Sequence, residues 1–159
     1  MSNPTTHSHF STLISVTQLQ TLQAQGTPVQ VFDCTFDLMN PASGHAQFLE
    51  QHIAGATHAD LDKHLATHDD AIRVNGGRHP LPRREVFAAW LQSVGVNHDT
   101  QVVVYDRNGM NYCGRLWWML KWCGHDAVAV LDGGLQAWTA AGGAIASGEA
   151  AAPLNGDFT

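Results

Sequence analysis

The chain has 159 residues, 44% of them hydrophobic and 14% charged, enough to bury one full core and too few for a second domain beside it. A formal charge of -6, with only eight Lys and Arg, excludes the broad basic patch that nucleic acid or an anionic membrane surface would require. Three cysteines, Cys34, Cys113 and Cys123, make neither a close pair nor a spaced quartet, which disfavours a disulfide framework and a structural zinc site and points to a reduced compartment, the cytoplasm.

Residues 1–11 are polar, with no basic segment followed by an apolar stretch, and are expected to be a flexible N-terminus rather than a signal peptide or membrane span. Ser15 reads as the N-cap of a short helix carrying Val16, Leu19 and Leu22 at helical spacing, closed by Gly26. Val29 to Asp33 is a compact strand. A turn-rich stretch through Asn40, Pro41 and Gly44 leads to a second helix around His45 to Gln51, and another strand is expected near Ala56 to Ala59.

From Asp62 to Pro82 the composition is His, Asp, Gly and Pro with little apolar periodicity, so a long ordered loop with room for one helical turn is expected. Arg84 to Val94 places Val86, Phe87, Trp90, Leu91 and Val94 on one helical face and stops at Gly95. A strand then runs into Asp106. It is followed by a helix from about Cys113 to Cys123, a strand from Ala127 to Leu131, and a helix from about Leu135 to Ala141. Short apolar strands alternating with amphipathic helices predict an α/β domain whose parallel sheet of about five strands is covered by helices on both faces. That domain is expected over residues 12–145. The Gly-, Ala-, Ser- and Pro-rich remainder, 146–159, has the composition of a linker to a further domain.

The most informative residue is Asp106. A buried strand that runs into a Gly-containing loop and then a helix aims N–H groups at the loop centre, a cradle suited to an anion or a nucleophile. Here the first loop position, ahead of Arg107, Asn108, Gly109, Met110 and Asn111, carries a carboxylate, which repels anions and cannot do the work of a thiolate. Asp106 is expected to cap the loop by accepting its N–H groups. Cys113, seven positions on, is the best alternative nucleophile in the chain, or else buried packing as Cys34 and Cys123 are expected to be. Arg115 lies among Leu116, Trp117 and Met119, and a partly enclosed Arg calls for a carboxylate, with Asp33 or Asp132 as the expected partner. His52, His58, Asp60, Asp62, His64 and His68 crowd one stretch, but no Cys or fixed outer shell supports a metal there, and none is expected. Trp117, Trp118, Trp122 and Trp138 read as core and interface aromatics.

A series of motifs in a fixed order resembles the rhodanese superfamily, and in detail the N-terminal domain of two-domain thiosulfate or 3-mercaptopyruvate sulfurtransferases. It comprises Val31-Phe32-Asp33, His52-Ile53-Ala54-Gly55-Ala56, Asp60-Leu61-Asp62, the run from Gly76 to Pro82, Val104-Tyr105-Asp106, Arg115-Leu116-Trp117-Trp118, Gly124-His125, and Val130 to Gly134 with Trp138. The resemblance implies a rhodanese-like fold. It also implies sulfane-sulfur transfer through a persulfide on a loop cysteine of a C-terminal domain, with this chain as the non-catalytic half, no cofactor, and a small anionic donor at the cleft between domains. Asp106 stands where that cysteine would be. Tyr112 stands where a related phosphatase loop would carry its phosphate-gripping Arg. By the same resemblance, Asp62 and His79 match positions offered to an acid/base relay with the other domain, or they hold the long loop together. Arg78 either faces the cleft and attracts the donor or makes a surface ion pair. Two further functions stay open: a free-standing binding or regulatory module, and a single-domain sulfurtransferase working through Cys113.

Overall fold

Among the described residues, five helices and seven strands follow one another as β1 (Leu13–Ile14), α1 (Val16–Ala24), β2 (Val29–Asp33), α2 (Ser43–Glu50), β3 (His52–Ile53), β4 (Thr57–His58), α3 (Arg84–Ser93), β5 (Gln101–Tyr105), α4 (Cys113–Trp122), β6 (Val128–Leu131), α5 (Gly134–Ala140) and β7 (Ile145–Ala146). The computed structural model describes residues 10–61, 64–66 and 81–149. Ser15 caps α1 as its sequence suggests. Its hydroxyl accepts from the Gln18 N–H at 3.1 Å while the Gln18 side chain accepts from the Ser15 N–H at 2.8 Å, a reciprocal box that satisfies two helix-end donors.

The main sheet has the strand order β1-β6-β5-β2-β4, with every pairing parallel. Successive strand residues point to opposite faces, and each face has its own core. On one side Phe32, Val102, Val104 and Val128 pack against Phe87 and Leu91 of α3 and Leu116, Met119 and Leu120 of α4. On the other, Val31, Val103, Tyr105, Ala129 and Leu131 meet Leu19 of α1, Phe48 of α2, and Leu135 and Trp138 of α5. Strands covered on both sides cannot alternate apolar with polar residues, which is why Val102, Val103 and Val104 form an unbroken apolar run.

Three strands escape the sequence pattern because each is two residues long. β1 is an edge of the main sheet, and β3 pairs antiparallel with β7 in a separate ribbon. The ribbon draws Ile145 and Ala146, read from the sequence as the end of the domain and the start of a linker, back onto the body of the fold, and the Gly148 N–H goes on to donate to Leu49 O at 2.7 Å. The expected flexible start, linker end and helical turn of the long loop fall largely on 1–9, 150–159 and 67–80, outside the described residues. Trp138 is buried and Trp117 and Trp122 are partly so. Trp118, expected in the core or an interface, is 46% exposed and stacks on Trp122 at 6.0 Å. Among the described residues no helix is long and apolar enough to cross a membrane.

α5 begins against the loop that follows β5, and two glycines make that approach possible. Gly133 and Gly134 have φ of +84° and +58°, and a Cβ on Gly134 would lie 2.3 Å from the Asp106 carbonyl oxygen. Gly134→Ala is therefore expected to destabilise the fold by about 1–3 kcal/mol, from left-handed strain and displaced backbone together. Urea unfolding checks it: the midpoint falls at unchanged slope, whereas an unmoved midpoint would mean that α5 is free to step away.

Candidate functional site

At the C-terminal end of β5 the chain turns through Asp106 and Arg107 to Tyr112 and enters α4. Gly109 and Met110 both adopt left-handed conformations, with φ of +69° and +68°. Two such residues in succession curl the backbone so that its N–H groups face inward. Asp106, 2% exposed, fills the space they enclose. Its Oδ1 accepts from the N–H groups of Asn108 and Met110, each at 2.9 Å, and its Oδ2 from those of Tyr112 at 2.9 Å and Cys113 at 3.0 Å. The last two open α4, whose N-cap has no side-chain hydrogen bond of its own. One carboxylate thus serves as loop centre and helix cap, and it fits the positive end of the helix dipole. Any external anion would have to displace a covalently attached one.

The backbone of Asp106 is engaged as well, accepting the Leu135 N–H at 3.2 Å, and Gln136 Nε2 reaches Arg107 O at 3.1 Å. Asn108 Oδ1 is enclosed and, among the described residues, accepts no hydrogen bond. Asn111 and Met110 face solvent.

Arg107 leaves the loop in the opposite sense and ties it to β2 and α2. Its Nη2 donates to Asp33 Oδ2 at 2.9 Å and to Gln51 O at 2.7 Å, and its Nε donates to Thr35 Oγ1 at 3.0 Å. Asp33, fully buried, also accepts from the Tyr105 hydroxyl at 2.9 Å and the Thr35 N–H at 2.8 Å. The Tyr105 oxygen in turn accepts the Ile53 N–H at 3.0 Å. Burial, then the Asp33 charge, pushes the Tyr105 phenol far above its ordinary range, so it remains a donor.

This arrangement corrects the ion pair expected for Arg115. Asp33 belongs to Arg107, and Asp132 is exposed. The Arg115 guanidinium instead donates to Leu65 O through Nε at 3.2 Å and Nη2 at 2.8 Å, while burial lowers its pKa. The reason is geometric, since β2 and β5 are in register from Val29 opposite Gln101 to Asp33 opposite Tyr105. The first side chain able to reach Asp33 from the β5 loop is that of Arg107. Sequence spacing could have found this pair only with the strand order already known.

Cys113 is fully buried, and burial first, then the Asp106 charge, raises its thiol far above the ordinary range. Cys34 is raised by burial and then by Cys113, Asp33 and Asp106, and Cys123 by burial. Raised thiols stay protonated and are poor nucleophiles. Of the histidine-rich stretch, His52 Nδ1 lies 2.8 Å from Phe48 O, His58 Nε2 lies 3.2 Å from Thr35 O, and His64 Nδ1 accepts the Asp60 N–H at 2.9 Å. Asp62, His68, Arg78 and His79 lie outside the described residues.

Two outcomes follow from this geometry. Asp106→Ala leaves a ring of buried N–H donors without an acceptor and is expected to cost roughly 2–4 kcal/mol. Asp106→Asn is expected to cost nearly as much, because each carboxylate oxygen serves two donors and an amide NH2 must face one such pair. Chemical denaturation measures both, and a neutral Asn variant would show that the loop tolerates a second arrangement. Native thiol labelling at pH 8 is expected to leave Cys34 and Cys113 unmodified until denaturant is added; rapid modification of Cys113 in the folded protein would contradict the burial seen here.

Comparison with known proteins follows the same lines. The model of the rhodanese-like domain matches residues 15–141. The chain is 44% identical over 130 residues to a Pseudomonas aeruginosa protein named "Probable 3-mercaptopyruvate sulfurtransferase", an alignment covering 80% of this chain and 44% of that protein. It is 32% identical over 124 residues to thiosulfate sulfurtransferase of Bos taurus, covering 77% of this chain and 40% of that protein. The structure of 3-mercaptopyruvate sulfurtransferase from Leishmania major superposes with a TM-score of 0.79 at 30% identity, covering 92% of this chain and 39% of that one. The chain thus spans about half the length, or less, of the curated relatives it matches. With its parallel five-stranded sheet and the family pattern running from Ser15 to Ala141, the chain belongs to the rhodanese-like domain family.

Proposed function

We propose that this domain is the non-catalytic N-terminal half of a thiosulfate or 3-mercaptopyruvate sulfurtransferase. The chemistry it serves is transfer of sulfane sulfur through a persulfide. A cysteine thiolate attacks the outer sulfur of thiosulfate, sulfite leaves with the electron pair of the S–S bond, and a thiophilic acceptor such as cyanide then takes the sulfur and frees the thiolate. Such a loop needs a polarizable thiolate held by N–H donors that lower its pKa.

The observation that carries the proposal is the occupancy of those donors by the Asp106 carboxylate. A carboxylate is a harder, weaker nucleophile toward sulfur, and its charge repels a dianionic donor. Cys113 offers no substitute, since it is buried and its thiol is held protonated. In this reading the catalytic cysteine belongs to a C-terminal rhodanese domain of the same parent chain. This half walls one side of the cleft that receives the anionic donor, with Asp62, Arg78 and His79 as its contributions. The free, buried thiols of Cys34, Cys113 and Cys123 suit the cytoplasm, the compartment we assign.

Turnover tests this directly. The purified 159-residue chain is expected to release no thiocyanate above background from thiosulfate and cyanide, and no sulfide from 3-mercaptopyruvate and thiol. In a parent protein carrying a second rhodanese domain, activity is expected to survive Cys113→Ala and to vanish when the loop cysteine of that second domain is replaced by Ser. Turnover by this chain alone that is lost with Cys113→Ala would overturn the proposal.

A further inference from the structure

Away from the loop, three titratable side chains from three parts of the chain line up. His45 lies in the first turn of α2, His58 in β4, and Glu149 in the segment that leaves β7. His45 Nδ1 faces His58 Nδ1 at 3.4 Å, and on the other side of the same ring His45 Nε2 lies 3.4 Å from Glu149 Oε2. The buried Phe48 ring stacks near both imidazoles, 6.4 Å from His45 and 5.4 Å from His58, and holds them in place.

The hydrogen-bond roles follow from the fixed partners. Thr35 O can only accept, so His58 Nε2 carries a proton. Burial disfavours a second proton on His58, which leaves a lone pair on its Nδ1. His45 Nδ1 must then donate to that lone pair. The Glu149 carboxylate accepts as well, so both nitrogens of the His45 ring face acceptors, and only the doubly protonated ring satisfies both.

We propose that His45 is a proton-operated latch: as the imidazolium it bridges His58 and Glu149 and fastens the segment after β7 to the start of α2, and on losing a proton it lets Glu149 go. The proposal does not depend on the sulfur-transfer reading. A metal ion is the competing cation, because two imidazole nitrogens at this spacing could share one. A closed tetrahedral site needs four ligands, however, and among the described residues no group of three or more His, Cys, Asp or Glu is placed to hold an ion.

Burial keeps a second proton off His58 despite the charges around it. Asp33 from β2 and Asp60 just after β4 both favour charge on His58, yet Arg107 already pairs with Asp33, and burial outweighs the pair. His52, stacked on Phe48, is tied to Phe48 O. His45 is 39% exposed and Glu149 73%, so their ion pair is worth little to global stability and its effect is local. The latch is closed while both His45 ring nitrogens carry protons and opens when one is lost. His58 acts differently, since burial holds its folded value below the ordinary one and stability falls as acid forces a second proton onto it.

Ring-nitrogen NMR on the full 159-residue chain tests the latch. At the acid end His45 is expected to show two protonated ring nitrogens while His58 keeps the neutral Nε2–H tautomer. As His45 deprotonates, the amide of Gly148, bonded to Leu49 O, is expected to lose protection with the same midpoint. Glu149→Gln, a change at an exposed site that leaves the fold intact, is expected to abolish that coupled loss, and His45→Gln to leave Gly148 unresponsive to pH. A His45 ring that stays neutral throughout, Gly148 protection that ignores its titration, or stoichiometric zinc binding that perturbs both rings would each overturn the proposal.

Discussion

Four backbone N–H groups turned toward one point require an acceptor, and a buried carboxylate requires donors; Asp106 meets both needs at once. The rest of the site depends on this pairing. It holds the left-handed turn at Gly109 and Met110, caps α4 where Tyr112 supplies no cap, and adds a negative charge to the burial that already keeps the Cys113 thiol protonated. Its own carbonyl receives α5 through the Leu135 N–H. The same N–H groups that could activate a nucleophile are used here to stabilise a loop.

Arg107 gives the loop a second anchor of a different kind. The guanidinium crosses from β5 to Asp33 on β2 and to the Gln51 carbonyl just past α2, while Tyr105 and Thr35 complete the donors around that carboxylate. A fully buried Asp with one cation and two neutral donors is well satisfied, whereas removal of the cation would strand it. The loop is thus pinned at its centre by a carboxylate and at its flank by a cation, both from its own first two residues.

α2 joins the loop to the end of the described chain. Carbonyls of Gln47 and Gln51 receive Arg107, its Phe48 packs the sheet face and the histidine rings, and Leu49 O receives the segment that leaves β7. The path by which the chain departs is therefore set by the same helix that braces the Asp106 loop. The close approach of α2 to the segment just after β2 rests on Gly44, where a Cβ would lie 2.3 Å from Thr35 O.

The amino-acid sequence by itself determined the α/β class, the five helices of the described residues to within about two residues at each end, and the central strands, because apolar periodicity and caps act over a few neighbouring residues. The family came from the resemblance of its ordered motifs. The role of Asp106 as acceptor for the loop N–H groups was likewise legible, since a carboxylate at the head of a strand-loop-helix turn sits beside those donors by local geometry. What only the tertiary structure decided was the partnership of groups far apart in the chain: Arg107 rather than Arg115 for Asp33, the β3 and β7 ribbon, and the His45 bridge between His58 and Glu149. Two-residue strands have no periodicity to detect, and ion pairs across the sheet depend on strand order and register, which local spacing does not encode.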